Sequence, residues 1–280
     1  MTVLVTGATG SVGRHVVDQL LQRGQRVRAM TRKPDKAGLP AGVELVSGDL
    51  AQPETLPAVL AGVDRVYLFP VVENTEASLA RMREAGVSRV VVLSSLSVEH
   101  SAPGQSALGD YHLAIERAVE ASGIPWTHLR PGAFAGNTLE WARSIRAEGV
   151  VRAPYGEAQQ TPIHEADIAA VAVAALLDEG HAGAKYPLSG PAAISRVAQV
   201  RAIGEAIGRD LRFEEISPEA WRAQVSAFMP AGIIDTLLAY WAASVETPDP
   251  VYPDVEKVLG RPPRTFAQWA ADNAKAFAAP

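Results

Sequence analysis

Three glycines spaced three apart, Gly7, Gly10 and Gly13, follow the apolar run Val3-Leu4-Val5. They open a segment in which Val12, Val16, Val17, Leu20 and Leu21 recur with helical period. A strand, a tight turn and a helix in that order form a cradle for phosphate. The turn brings backbone close to the ligand, and the helix begins with unpaired N–H groups at the positive end of its dipole. The spacing points to a dinucleotide pyrophosphate held by Gly7, Thr9, Gly10, Ser11, Val12 and Gly13, with Arg14 as a further phosphate contact. The alternative is a glycine turn that holds nothing; the strand before it and the helix after it argue for the ligand.

The second strand, Arg26 to Met30, runs into Thr31-Arg32-Lys33. Sites that take NAD usually place Asp or Glu here for the ribose 2′-hydroxyl. Two cations stand there instead, so a 2′-phosphate and hence NADP (NADPH) is expected, the alternative being a solvated basic turn. A third strand, Val43 to Val46, leads to Asp49 and Leu50, read as adenine contacts, although Asp49 is equally suited to capping the helix begun by Pro53 and Glu54. Strand four, Val66 to Phe69, ends at Phe69-Pro70. Strand five, Val90 to Leu93, runs into Ser94-Ser95-Leu96-Ser97, placing hydroxyls at the carboxyl end of a central strand, where small-molecule sites are built. Strand six, Trp126 to Leu129, is followed by Arg130-Pro131-Gly132, and Phe69, Pro70 and Pro131 are read as cofactor neighbours. Phe134, Asn137, Trp141 and Tyr155 then supply large side chains on irregular segments, the expected lining of an apolar substrate pocket, with Ser97 beside it.

The elements needed to position these residues give an α/β fold, a Rossmann-type doubly wound parallel sheet with a smaller C-terminal α+β lobe. Residues 1–155 are expected to form the dinucleotide-binding domain, with a helix over 164–178 packing back on it. Residues 179–280, aided by parts of 132–163, are expected to form the substrate lobe. The chain has 280 residues, 48% of them hydrophobic, and a formal net charge of −5 without long charged runs, which argues against nucleic acid as a direct partner. Zero cysteines exclude disulfides, thiolate metal sites and a cysteine nucleophile, and fit a reducing, cytoplasmic compartment. No secretory leader is read at the N-terminus, and the apolar helix from Ile168 to Leu177 is about half the length a membrane span needs, so a soluble monomer or homodimer is expected. No metal site is expected: His164 and Asp167 are read as capping and packing groups. His100 is read as an exposed loop residue or a substrate neighbour. Trp221, Trp241 and Trp269 are expected in the core, and Phe228-Met229-Pro230 is a candidate lid.

Taken together, Thr6 to Gly13, Thr31-Arg32-Lys33-Pro34, Ser47 to Leu50, Ser94-Ser95, Ser122-Gly123-Ile124-Pro125-Trp126-Thr127, Leu129 to Gly132 and Asp167-Ile168-Ala169 resemble the NmrA-like branch of the atypical short-chain dehydrogenase/reductases, and the tail from Leu259-Gly260-Arg261 to Trp269 resembles the ending of that branch. The resemblance implies a Rossmann sheet carrying a smaller C-terminal lobe, with substrate between them. It also implies one of two activities: NADPH-dependent reduction of quinones, enones or imines, or cofactor-dependent regulation without clear catalysis.

In the wider superfamily a Ser acts with a Tyr and a Lys one helical turn apart. Ser95 matches the serine. Counted from Glu116 and Gly123, His112 takes the lysine position and Leu108 the tyrosine position, while Tyr111 has Ile115 four residues on, so no Tyr-Lys pair is present in either register. Three readings of the catalytic candidates Ser95, Tyr111 and His112 stay open. His112 takes over the ribose contact and proton donation; or Tyr111 donates with His112 beside it; or His112 and Glu116 form an i, i+4 hydrogen bond that only orders the helix. The expected activity is that of an NADP(H)-dependent oxidoreductase moving hydride between nicotinamide and a small apolar carbonyl, quinone, enone or imine. The alternatives are a non-catalytic NADP(H)-sensing regulator and a cofactor-retaining isomerase or epimerase.

Overall fold

The computed structural model describes residues 1–100 and 106–278. In chain order its elements begin β1 (Thr2–Val5), α1 (Ser11–Gln22), β2 (Arg26–Thr31), β3 (Glu44–Ser47), α2 (Leu56–Leu60), β4 (Arg65–Leu68), α3 (Thr75–Glu84), β5 (Arg89–Leu93), α4 (Ser97–His100), α5 (Ala107–Ala121) and β6 (Trp126–Pro131). They continue with α6 (Ala142–Glu148), β7 (Val150–Ala153), β8 (Gln159–Gln160), α7 (Glu165–Leu177), β9 (Ala184–Leu188), β10 (Ile194–Ser195) and α8 (Arg196–Ile207). The last are β11 (Arg212–Glu215), α9 (Pro218–Val225), α10 (Ala231–Glu246), α11 (Asp254–Leu259), α12 (Phe266–Asp272) and α13 (Ala274–Phe277).

Seven parallel strands form one sheet in the order β3-β2-β1-β4-β5-β6-β9. Val3, Leu4, Val5, Val66 and Val90 to Val92 are buried on both faces, the reason these strands read as continuous apolar runs rather than alternating ones. The order reverses between β1 and β4, and in open α/β sheets ligands collect above such a reversal, at the carboxyl ends of the strands. The fold class read from the sequence is therefore the observed one.

The chain divides into two units, Met1–Pro131 with Glu165–Leu188 and Asp254–Arg261, and Gly132–His164 with Ser189–Pro253 and Pro262–Pro280. This corrects the expected boundaries. β9, within the residues 179–280 expected to form the C-terminal lobe, pairs with β6 as the seventh strand of the main sheet, with Leu129 opposite Tyr186, and α11 also belongs to the first unit. Residues 132–155, expected in the dinucleotide-binding domain with only parts of 132–163 aiding the lobe, belong wholly to the second.

In the first unit α7 is buried around most of its circumference and packs on α1, β4, β5 and β6, as a helix apolar on every side must. Its last turn is held by arginines at the starts of two strands: Arg65 donates to the Leu176 carbonyl, and Arg89 to those of Ala175 and Asp178 and to the Glu179 carboxylate. In the second unit β7 pairs with β11 and β8 with β10. One core there gathers Trp141, Ile145, Val151, Ile203, Phe266 and Trp269, and another gathers Trp221, Ile234, Leu238 and Trp241, with the half-buried Tyr155 against it. The three tryptophans expected in the core are buried there, whereas Phe228 is 74% exposed after α9. Among the described residues no helix is long and apolar enough to cross a membrane.

Candidate active site

The turn after β1 is fixed by two contacts that the sequence pattern does not announce. Buried Thr6 donates its hydroxyl to the Tyr67 carbonyl at 3.0 Å and accepts the Phe69 N–H at 2.7 Å, joining the ends of β1 and β4. Gly7 has φ +59°, and a β-carbon there would stand 2.8 Å from the Phe69 ring. Gly13 packs α1 on the turn so closely that a β-carbon would lie 2.2 Å from the Gly7 carbonyl oxygen. Gly10, the N-cap of α1, offers no side chain to the first turn, and no acidic residue stands in that turn, so its N–H groups and positive dipole end stay available for an anion. Thr9, Gly10 and Ser11 are exposed around it, while Val12 is buried and presents only its backbone.

Arg14 commits three of its five N–H donors to the carbonyls of Thr9 (3.0 Å), Ala37 (2.9 Å) and Gly38 (2.9 Å), tying the segment after β2 to the glycine turn. It is first a strut. Its expected phosphate contact is left to the remaining donors. On the segment it braces, Arg32 and Lys33 are exposed, and among the described residues no hydrogen bond or ion pair holds either side chain. Asp49 accepts the Ala51 N–H at 3.0 Å, which holds the chain ahead of Pro53. The Leu50 side chain is buried in the core, so an adenine contact from it is limited to backbone.

At the carboxyl ends of β5 and β6 a buried ionic network appears. Arg130 donates through Nε and Nη2 to the two oxygens of Glu116, at 2.9 and 2.6 Å, and through Nη1 to Glu99 at 2.8 Å. Ser94 donates to Glu116 at 2.5 Å. Burial pushes the Glu116 carboxyl up, but hydrogen bonds from Arg130 and Ser94 outweigh it and hold the group below the usual carboxylate range. The same Glu116 bonds hold the Arg130 proton more tightly than usual. Sequence reading placed Arg130 in the Leu129 to Gly132 motif and offered Glu116 to His112, but nothing local pairs Arg130 with Glu116, 14 residues away.

The network decides one of the open readings. Both Glu116 oxygens are taken, the His112–Glu116 hydrogen bond is not formed, and His112 Nδ1 is buried without a partner among the described residues. Burial pulls the His112 imidazole below its ordinary value, against the partial offset of Glu116, so it is neutral near pH 7. Tyr111 donates its hydroxyl to the Pro70 carbonyl at 3.2 Å and accepts the Val72 N–H at 3.3 Å. Its ring meets His112 edge-on, 5.4 Å between centroids. Ser95 Oγ accepts both the N–H and the hydroxyl of Ser97, at 3.2 and 3.0 Å, and among the described residues nothing takes its own proton. Pro131 is buried, and its carbonyl accepts the Leu96 N–H.

Within the second unit, Phe134 is half-buried and Asn137 exposed, on a segment pinned by hydrogen bonds of Ala133 and Ala135 with Ile163. Trp141, expected to line a pocket, is instead a core residue. Asp167 accepts from Arg261 at 2.7 Å and His164 Nε2 lies 3.3 Å from Asp272. The His100 side chain lies outside the described residues. Glu116, Glu120 and His128 converge as metal ligands would, but Arg130 occupies the first and Lys185, at 2.9 Å, the second.

A family model described as NAD(P)H-binding matches residues 7–179. A (4-alkanoyl-5-oxo-2,5-dihydrofuran-3-yl)methyl phosphate reductase of Streptomyces griseus subsp. griseus is 40% identical over 99% of both chains. An NAD(P)H azoreductase of Xenophilus azovorans is 37% identical, also over 99% of both. In fold, the chain is similar to an NADPH-dependent quinone oxidoreductase of Escherichia coli solved with NADPH, with a TM-score of 0.80 and 24% identity over 96% of this chain and 99% of that one.

Proposed function

The chain belongs to the NAD(P)H-binding, NmrA-like family of atypical short-chain dehydrogenase/reductases, and we propose on that premise that it is an NADPH-dependent reductase of small, largely apolar carbonyl, quinone, enone or imine compounds. The coarser part, an oxidoreductase using NAD(P)H, has the support of two relatives named as reductases and matched along nearly their whole length. The choice of NADPH is carried by one observation: Arg32 and Lys33 directly follow β2, exposed and without side-chain partners among the described residues, where a carboxylate would serve NAD.

The residues present fit the cofactor. Gly7, Thr9, Gly10, Ser11, Val12 and Gly13 would offer backbone to a pyrophosphate over a helix with no side-chain cap, Asp49 and the Leu50 backbone are the proposed adenosine contacts, and Phe69, Pro70 and Pro131, at the strand ends, are the proposed further neighbours. When bound, NADPH supplies a hydride, and the substrate needs one proton to complete the two-electron reduction. Ser95 is the proposed donor toward the oxygen or nitrogen that gains charge, because two hydrogen bonds from Ser97 polarise its hydroxyl, and the proton it passes on is replaced from water. Neutral His112 orients a hydroxyl or water rather than serving as a standing acid, and Tyr111 holds the segment after Pro70. Ser97, Phe134 and Asn137 remain proposed substrate contacts.

Calorimetry tests the cofactor assignment. Arg32→Ala is expected to weaken NADPH about tenfold or more while NADH binding changes by less than about twofold; equal losses overturn the preference. Turnover is read as loss of reduced-cofactor absorbance with quinones, enones, imines, azo compounds and an alkanoyl-dihydrofuranone phosphate. Tight NADPH binding with no turnover across the panel supports the regulator, and product without net NADPH loss supports an isomerase or epimerase.

A further inference from the structure

The second unit buries a cation that, among the described residues, no carboxylate meets in an ion pair. Arg196 is the first residue of α8 and is 2% exposed, with its guanidinium carbon 3.9 Å from the ring centroid of Trp241 and 5.6 Å from that of Trp141. The two indoles supply cation–π stabilisation, yet among the described residues no carboxylate lies within ion-pair distance and Nη1 has no hydrogen-bond partner. Glu215 acts on it only at longer range, its oxygens already accepting the N–H groups of Tyr155 and Gly156 at 2.5 and 2.8 Å. Glu140 likewise acts at a distance. Desolvation pulls the guanidinium down to about 10. A cation at the amino end of a helix also faces the positive end of the dipole.

One turn along the same face lies Gln199, also 2% exposed, whose Nε2 has no partner either. Buried donors are nearly always satisfied, and an unpaired one costs about 1–3 kcal/mol. Two of them, one charged, at the same helix amino end share a single remedy.

We propose that Arg196 and Gln199, in the first turn of α8 between Trp141 and Trp241, form a binding site for an oxyanion, the phosphate or carboxylate group of a small organic ligand or free inorganic phosphate. The anion accepts from Arg196 Nη1 and Gln199 Nε2 and neutralises the buried charge; the backbone of the first turn is already satisfied, with the Ala198 N–H on the Ser195 hydroxyl and the Val197 N–H on the Gly156 carbonyl, so the site rests on the two side chains. The site is independent of cofactor binding and of the proposed reductase activity.

Trp141 and Trp241 provide the reporter. Full-length protein without cofactor is titrated with inorganic phosphate and separately with phenyl phosphate at constant pH and ionic strength, following tryptophan emission and Tm. A saturable emission change with a rise in Tm is expected. Gln199→Leu should weaken binding about tenfold and Arg196→Met abolish it. Tighter binding of phenyl phosphate identifies an organic ligand's substituent, and equal binding identifies the free ion. Gln199→Glu supplies an internal carboxylate to Arg196 and should raise Tm while removing the phosphate response, which keeps the test decisive where Arg196→Met fails to fold. The proposal is overturned by no wild-type response, or by a response that survives in both Gln199 variants. Neither outcome depends on NADPH consumption, so loss of this site and loss of the reductase reading are separate results.

Discussion

Ser95 and Tyr111 both bring hydroxyls to strand ends of the main sheet, and their hydrogen bonds assign them different work. Tyr111 donates to a carbonyl and accepts an N–H of the same short segment, so its proton is committed to structure. Ser95 accepts twice, and among the described residues nothing takes its own proton. Steady-state NADPH oxidation with an accepted quinone or enone should therefore show Ser95→Ala losing roughly 10²-fold in kcat/KM. Tyr111→Phe should stay within about threefold while stability drops by about 1 kcal/mol. The reverse pattern would return proton donation to Tyr111. The same accounting explains Arg14, which the sequence offers as a phosphate ligand and the fold uses first as a strut under the segment bearing Arg32 and Lys33.

For the elements, the tightest constraints sit where helices meet strand ends. α1 reaches the glycine turn because Gly13 has no β-carbon, and Gly13→Ala must push either the helix or the Gly7 carbonyl aside. An expected destabilisation of about 1–3 kcal/mol, read by urea unfolding, should accompany a larger loss of NADPH affinity than of Tm, since the displaced groups are those proposed to meet pyrophosphate. At the opposite end of the sheet Arg89, buried at the start of β5, satisfies the last carbonyls of α7 and complements its negative dipole end. Arg89→Met should cost about 1–3 kcal/mol with cofactor affinity unchanged. A neutral result would mean that solvent replaces the arginine there.

Across the whole molecule, acid lability is expected from buried imidazoles. His128 is fully buried on β6, stacked on Trp126 at 4.3 Å, and faces Glu116 and Glu120 of α5 and Lys185 of β9. Burial lowers its proton affinity more than the carboxylates restore it, and His112 is lowered in the same way. The unfolded chain then takes up these protons first, so stability is full above the ordinary imidazole value of about 6.5 and falls as pH drops through it toward the depressed folded values. Glu116 and Glu120, both held low, extend the loss into the carboxylate range. Thermal melts from neutral to acid pH should show this decline, and His128→Phe should flatten its first limb; an unchanged limb would remove His128 as the cause. The sequence by itself determined the β1-turn-α1 cradle, the succession of six strands and the basic pair after β2, because glycine spacing, apolar period and adjacency act over a few residues. Only the tertiary structure decided that β9 closes the sheet, that Trp141 turns into a core, and that Arg130 meets Glu116, 14 residues away in sequence, and Ser94 meets it from 22. The physical reason is that a buried charge or hydroxyl takes whichever partner the packed chain brings within about 3 Å, and that proximity is set by how sheet and helices stack, not by any local pattern.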